Sequence, residues 1–367
     1  MKEASSHLSR SLSLFILFMS LTGLSLLHIY HQKQTLLETP PNAINIQEVA
    51  TSTLEIPDIS KTPPGQIAIR DKLLAILDPN DSGSVYAIVD AIQANKELSL
   101  SCHEIAHDIG HKAYELYGFS GAVNFSKSDP SEHRSVQDIC AGGYIHGVLE
   151  EASLYQLDFK ENPKAMCEHT SSDNRMNCFH GIGHALMFAH DRYLPLSLAG
   201  CRSVGHKTDT TRCFEGVWME LFWGQPQATS TPDLGWDTKH PLAPCIATDN
   251  DAKPACFLYS VFGYLRTHKK DYDGAIKLCT KSELDDSDSH FCMKGIGITM
   301  VSNFKGHNLE RSEPFVDGLN ENEKEGFYQG VLGYADLSGI YKADLESTCN
   351  LLLHDKEICK RVLKELN

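Results

Sequence analysis

Polar stretches and apolar, glycine-bearing runs alternate along most of the chain. The runs are CAGGYIHGVLE from Cys140, CFHGIGHALMF from Cys178, CFEGVWMELF from Cys213, CFLYSVFGYL from Cys256 and CMKGIGITM from Cys292. FYQGVLGYADLSG from Phe327 is the same run without its cysteine. Their starts are 38, 35, 43, 36 and 35 residues apart, the period of stacked helical pairs that bury their apolar faces on one another. A shorter helical stretch precedes each run, as in LPLSLAGC and DYDGAIKLC, and the segment between is polar, as in CEHTSSDNRMNC. The pattern predicts a short helix A, a polar loop and a longer helix B in each unit.

The N-terminal third departs from this rhythm. Gln66 to Lys96 reads as two short amphipathic helices separated by Asp-Pro-Asn-Asp-Ser-Gly, a unit suited to capping a repeat stack. Residues 11–30, SLSLFILFMSLTGLSLLHIY, carry no Asp, Glu, Lys or Arg. Twenty helical residues span roughly 30 Å, about one hydrocarbon core. Lys2 and Arg10 precede the run, so the positive-inside rule places 1–10 in the cytoplasm as a short tail and the rest outside. No small-residue cleavage site follows, which favours an uncleaved signal-anchor over a signal peptide. Residues 31–65, with two Pro-Pro pairs and much Thr and Ser, form a linker, and 66–367 form the exported domain.

Twelve cysteines follow the linker and none precedes it, an even number that in an exported chain argues for disulfides. Cys167 and Cys178, Cys201 and Cys213, Cys245 and Cys256, Cys279 and Cys292, and Cys349 and Cys359 are separated by 11, 12, 11, 13 and 10 residues. Cys102 and Cys140 then pair by elimination. Regular spacing favours this set, although other pairings stay open on sequence alone. Ten glycines, among them Gly143, Gly147, Gly183, Gly216 and Gly333, recur in the B runs. Each costs roughly 1 kcal/mol in a helix relative to Ala, a cost that makes sense where B helices pack closely.

In period the chain resembles the tetratricopeptide and Sel1-like helical-hairpin repeats. Its YIHG at 144–147 and CFHG at 178–181 also resemble the His-Gly motifs of α/α toroids of the lanthionine-cyclase type. The expected fold is therefore all-α: repeated helical hairpins forming a solenoid or closed α/α toroid, preceded by one transmembrane helix. The toroid family's cysteine ligand does not carry over, because Cys178 falls in an expected disulfide.

A further B-type run opens at Cys102, ahead of those above, and its start, CHEIAHDIGH at 102–111, carries the sharpest chemistry. It contains His-Glu-x-x-His, which resembles the zincin motif and implies His103 and His107 as zinc ligands with Glu104 as base. The metzincin extension fails, since Ala113 stands where its third His would fall. Aligned on their cysteines, the first B runs place His107, His111, His146, His180 and His184 at similar depth, with Glu150, Glu215 and Glu220 nearby. Histidines at i and i+4 share a helix face and can hold one ion from one side. The candidate metal ligands are His103, His107, His111, His146, His180 and His184, with Glu104 or Glu150 as the catalytic base. Imidazole with some carboxylate suits Zn, Fe or Cu.

A net charge of −15 disfavours nucleic acid as a partner, because phosphate binding needs a basic footprint. The expected function is a membrane-anchored, extracytoplasmic metal-dependent hydrolase or oxidoreductase. A scaffold holding a peptide or protein in the repeat groove, and a metal-storage or delivery protein, remain open alternatives.

Overall fold

A computed structural model describes residues 66–80, 83–94, 102–124, 140, 142–156, 158–168, 170, 175–223, 240–268, 270–281, 283–303, 313–338, 345–350, 352 and 354–366. The chain divides into Met1–Ala50 and Thr51–Asn367, and every described residue belongs to the second unit. The expected cytoplasmic tail, membrane anchor and linker at 1–65 lie outside the described residues. Among the described residues no helix is long and apolar enough to cross a membrane.

The described fold is all-helical and contains no strand. Helices α1 (Gln66–Leu74) and α2 (Gly83–Ala94) match the expected opening pair. Asp78 accepts a bond from the Asn80 N–H at 2.8 Å in the turn between them, the local Asx bond that favours a turn over continued helix. The long helices are α3 (His103–Asn124), α4 (Gly143–Tyr155), α5 (Arg175–Ala189), α7 (Lys207–Trp223), α9 (Lys253–Thr267), α11 (Asp286–Asn303) and α13 (Glu321–Ser338). Short elements precede five of the stapled B helices: a 3-10 turn at Pro163–Cys167, α6 (Leu194–Ser203), α8 (Ala243–Ala247), α10 (Tyr272–Cys279) and α14 (Leu345–Asn350). A one-turn helix α12 (Glu313–Val316) and a terminal α15 (Lys356–Leu366) complete the set. Prolines stand at the first turn of α6, α8 and α9, where the missing N–H costs nothing.

All six disulfides join the partners that the spacing favoured. Each of the five short ones clips the end of a short element to the first turns of the next long helix. That placement fixes the hairpin angle with little reliance on the loop. The long helices pack in chain order, α3 on α4, α4 on α5, α5 on α7, α7 on α9, α9 on α11 and α11 on α13.

Glycine permits the approach. A Cβ at Gly147 would collide with the carbonyl of His107, and one at Gly110 with that of Tyr144. Across the next seam but one, a Cβ at Gly216 would strike the His180 carbonyl and one at Gly183 the Cys213 carbonyl. These reciprocal contacts bring α3 onto α4, and α5 onto α7, backbone to backbone, which sets the histidines of facing helices within reach of each other. Gly333 differs, since nothing lies within 4 Å of its Cβ position; close packing does not explain that glycine.

A candidate metal centre on three helices

Four imidazoles converge where α3, α4 and α5 meet. His103 and His107 lie one turn apart on α3, His146 on α4 and His184 on α5, and one nitrogen from each falls within 4.8 Å of all the others. His146 and His184 are 1% and 2% exposed.

Outer partners settle which nitrogen faces inward. His103 Nδ1 donates to the Cys140 carbonyl at 2.6 Å, and His146 Nε2 donates to the Asn177 carbonyl at 3.2 Å. His184 Nδ1 donates to Glu220 Oε2 at 3.1 Å. His107 Nδ1 lies 2.9 Å from Glu150 Oε1, in an ion-pair contact that is not aligned as a hydrogen bond, so Oε1 keeps no hydrogen-bond partner. Carbonyls and carboxylates only accept, so the outer nitrogens of His103, His146 and His184 carry the proton and, in the neutral ring, the inner nitrogen a lone pair; the Glu150 charge draws the His107 proton to Nδ1 in the same sense.

The four inner nitrogens fit the pattern by what they lack or face. His146 Nδ1 and His184 Nε2 are sealed from solvent with no hydrogen-bond partner. An unmade bond of this kind costs about 1–3 kcal/mol. His107 Nε2 faces His103 Nε2 at 3.1 Å. Two lone pairs at that distance repel unless a proton, such as the second one His107 takes up when charged, or a metal cation sits between them. Two ligands on a tetrahedral ion at 2.0–2.1 Å stand roughly 3.3 Å apart, close to the separation found. A protein hydrogen-bonding each ligand's other ring nitrogen is the outer arrangement that metal-binding histidines use.

Electrostatics keep the inner set receptive. Burial, followed by the charge of His107, holds His103 well below the ordinary imidazole pKa. Burial, followed by the neighbouring His180 and His184, does the same for His146. Neutral imidazole is the ligand form. His107 goes the other way: burial opposes its charge, but Glu150 prevails and raises it.

Glu150, 2% exposed, organises the far side. Burial would raise its pKa, yet the charge and close contact of His107, with the bond from His111, hold it well below the usual carboxylate range. His111 bridges two carboxylates, at 2.8 Å to Glu150 Oε2 and 2.7 Å to Glu151 Oε2. Although burial lowers it, those two carry its pKa up to about 9. His111 therefore braces Glu150 and does not join the four inner nitrogens.

His180 stands beside the group, its ring 4.9 Å from that of His146 and 5.1 Å from that of His184. Its nitrogens turn elsewhere, to Met219 Sδ at 3.3 Å and to Glu215 at 3.9 Å, a charge contact too long for a hydrogen bond. Of the six histidines expected from sequence, four converge and two flank. Glu104 lies on α3, but its side chain is outside the described residues.

Glu220 and Arg192 complete the surroundings. Arg192 reaches Glu220 Oε1 at 2.6 Å and the Glu220 carbonyl at 2.7 Å. Glu220 stands in the ligand register of its B run, seven residues after Cys213, whereas Arg192, in the turn after α5, carries no such signal in the sequence. Glu150, His184 and Glu220 form a second group that could hold an ion. Arg192 already neutralises Glu220, so the imidazole set is the stronger cation site. The two groups share His184.

No family model, curated protein or solved structure matches the chain.

Proposed function

We propose that this chain is a metal-dependent enzyme working in an oxidising compartment outside the cytoplasm. The six disulfides support the compartment, and the charge-free run at 11–30 supports anchoring to a membrane. One observation carries the chemistry: four imidazoles from three helices share a point, each with its outer nitrogen fixed by an acceptor. His103, His107, His146 and His184 would hold the ion, His107 giving up its second proton to do so, and an all-imidazole set suits zinc or copper. Such an ion supplies Lewis acidity and can lower the pKa of water towards neutrality.

The residues around it have separate tasks. Glu150 stays ionised beside the histidines, 2.9 Å from His107 Nδ1, where its charge orients that ring. His111 and Glu151 hold Glu150 in place from behind. Glu220 and Arg192 orient His184. Sharing of His184 between the two candidate groups favours a single ion over a store of several.

The test is elemental analysis of the full chain, purified without a histidine tag from an oxidising compartment. Near-stoichiometric zinc or copper is expected, and the His107→Ala/His184→Ala double variant should lose it while keeping its helical circular dichroism. Absence of metal after reconstitution would overturn the reading and leave a histidine-lined wall for a protein partner.

A further inference from the structure

Beyond His180 the inner wall changes from histidine to mixed charge. His180, Glu215 and Lys294 each stand two residues after a disulfide cysteine, on α5, α7 and α11, so they occupy one register on three of the four long helices from α5 to α11; on α9 that position is Leu258. Tyr259 of α9 continues the wall, its ring 6.1 Å from that of His180. The strip is thus contiguous with the candidate metal centre through the His180 ring.

Within the strip, Glu215 is already committed. Arg212 Nη1 reaches it at 2.6 Å, and despite burial the contact with His180 and the Arg212 charge hold it ionised, with a pKa of about 2. Two donors have no such partner. Lys294 is half-buried and makes no hydrogen bond or ion pair among the described residues. Burial lowers its pKa, and the Glu215 charge acts against that while Arg212 adds to it, which places the ammonium within electrostatic reach of both. Tyr259 is 9% exposed, its hydroxyl has no partner among the described residues, and burial raises its pKa, so it remains a donor. Among the described residues, the second terminal nitrogen of Arg212 meets Met176 Sδ alone, at 3.7 Å.

Two cations and one anion leave a single positive charge in excess, inside a chain of net charge −15. A partly buried ammonium without a counter-ion is costly and is relieved by an incoming anion. One excess charge with a neutral hydroxyl donor matches a carboxylate better than a phosphate, which carries about −1.5 to −2 near neutrality.

We propose that Arg212, Tyr259 and Lys294 form an anion subsite that seats a carboxylate of the substrate beside the histidine cluster. The substrate assignment rests on the metal-enzyme reading above; binding of the carboxylate does not.

The experiment titrates the full chain in detergent with acetate, butyrate and benzoate, and separately with inorganic phosphate, followed by ligand-observed NMR. Saturable carboxylate binding is expected, weakened at least tenfold in both Lys294→Met and Lys294→Gln and several-fold in Tyr259→Phe, with metal content unchanged. The His107→Ala/His184→Ala variant should still bind carboxylate while losing metal. Carboxylate binding in wild type that carries no metal would leave the subsite standing and remove the enzyme reading. No saturable binding by wild type, unchanged binding in the Lys294 and Tyr259 variants, or tighter binding of phosphate than of carboxylate would overturn the subsite.

Discussion

Glu220 touches His184 on one side and Arg192 on the other, so its part in the centre is separable from its part in the fold. Glu220→Gln keeps the size and one acceptor oxygen but removes the charge that fixes the His184 tautomer. Loss of such outer partners typically weakens metal binding 10–100-fold. Chelator-competition measurements of zinc affinity should show a drop of that size, with the circular dichroism spectrum unchanged. Arg192 adopts φ of 62° beside Asp191 at 50°, a left-handed pair that costs about 1–3 kcal/mol per strained residue. Arg192 lies 8% exposed, and its bonds to Glu220 hold the turn in that form. His111 offers a second test at this scale. Its pKa lies at about 9 in the fold against an unfolded value near 6.5. The stabilisation that Glu150 and, in smaller part, Glu151 give the charged ring is therefore full below pH 6.5 and vanishes as pH rises through 9. Glu151→Gln should be less stable than wild type at pH 6, and the two denaturation midpoints should converge above pH 9.

At the scale of helices, the seams rest on absent side chains. Gly147→Ala places a methyl against the His107 carbonyl, and the shift needed to relieve it should cost about 1–3 kcal/mol or more, visible as a lower thermal midpoint. It should also weaken metal binding, because α3 and α4 carry three of the four inner histidines. Gly333→Ala is the counter-case: with open space at its Cβ position, helix propensity alone should stabilise by up to about 1 kcal/mol. Both positions read alike in the sequence. Glycine spacing revealed that the B helices have a small-residue face, whereas which glycines meet a neighbour's backbone depends on how successive helices are rotated. The same limit separates the histidines. The i, i+4 spacing put His103, His107 and His111 on one face of α3, and only the position of Glu150 on α4 decides that His111 pairs with carboxylates. His103 and His146 are oriented by backbone carbonyls of Cys140 and Asn177, which no side-chain pattern encodes.

Across the molecule, staples and site are coupled at one end only. Five disulfides span 10–13 residues, but Cys102–Cys140 spans 38. The chain-entropy account gives about 4 kcal/mol for the long loop and about 3 for the shortest, so global stability alone would rank the two cystines nearly equal. Their neighbourhoods differ. Cys102 immediately precedes α3, and Cys140 supplies the carbonyl that fixes His103 while sitting at φ 58°. Cys349–Cys359 joins α14 to α15, and α15 packs on α13, far along the chain order from the histidines. Cys349→Ser/Cys359→Ser should therefore lower the unfolding midpoint and leave zinc affinity unchanged. Cys102→Ser/Cys140→Ser should lower the midpoint by a similar amount and weaken zinc binding at least tenfold, because the carbonyl of residue 140 is no longer held against His103. Zinc at a hundred times its dissociation constant adds about 2.7 kcal/mol to a folded state that binds it. That increment should persist in the first variant and shrink in the second, and equal increments in both would show that the long disulfide does not position the centre.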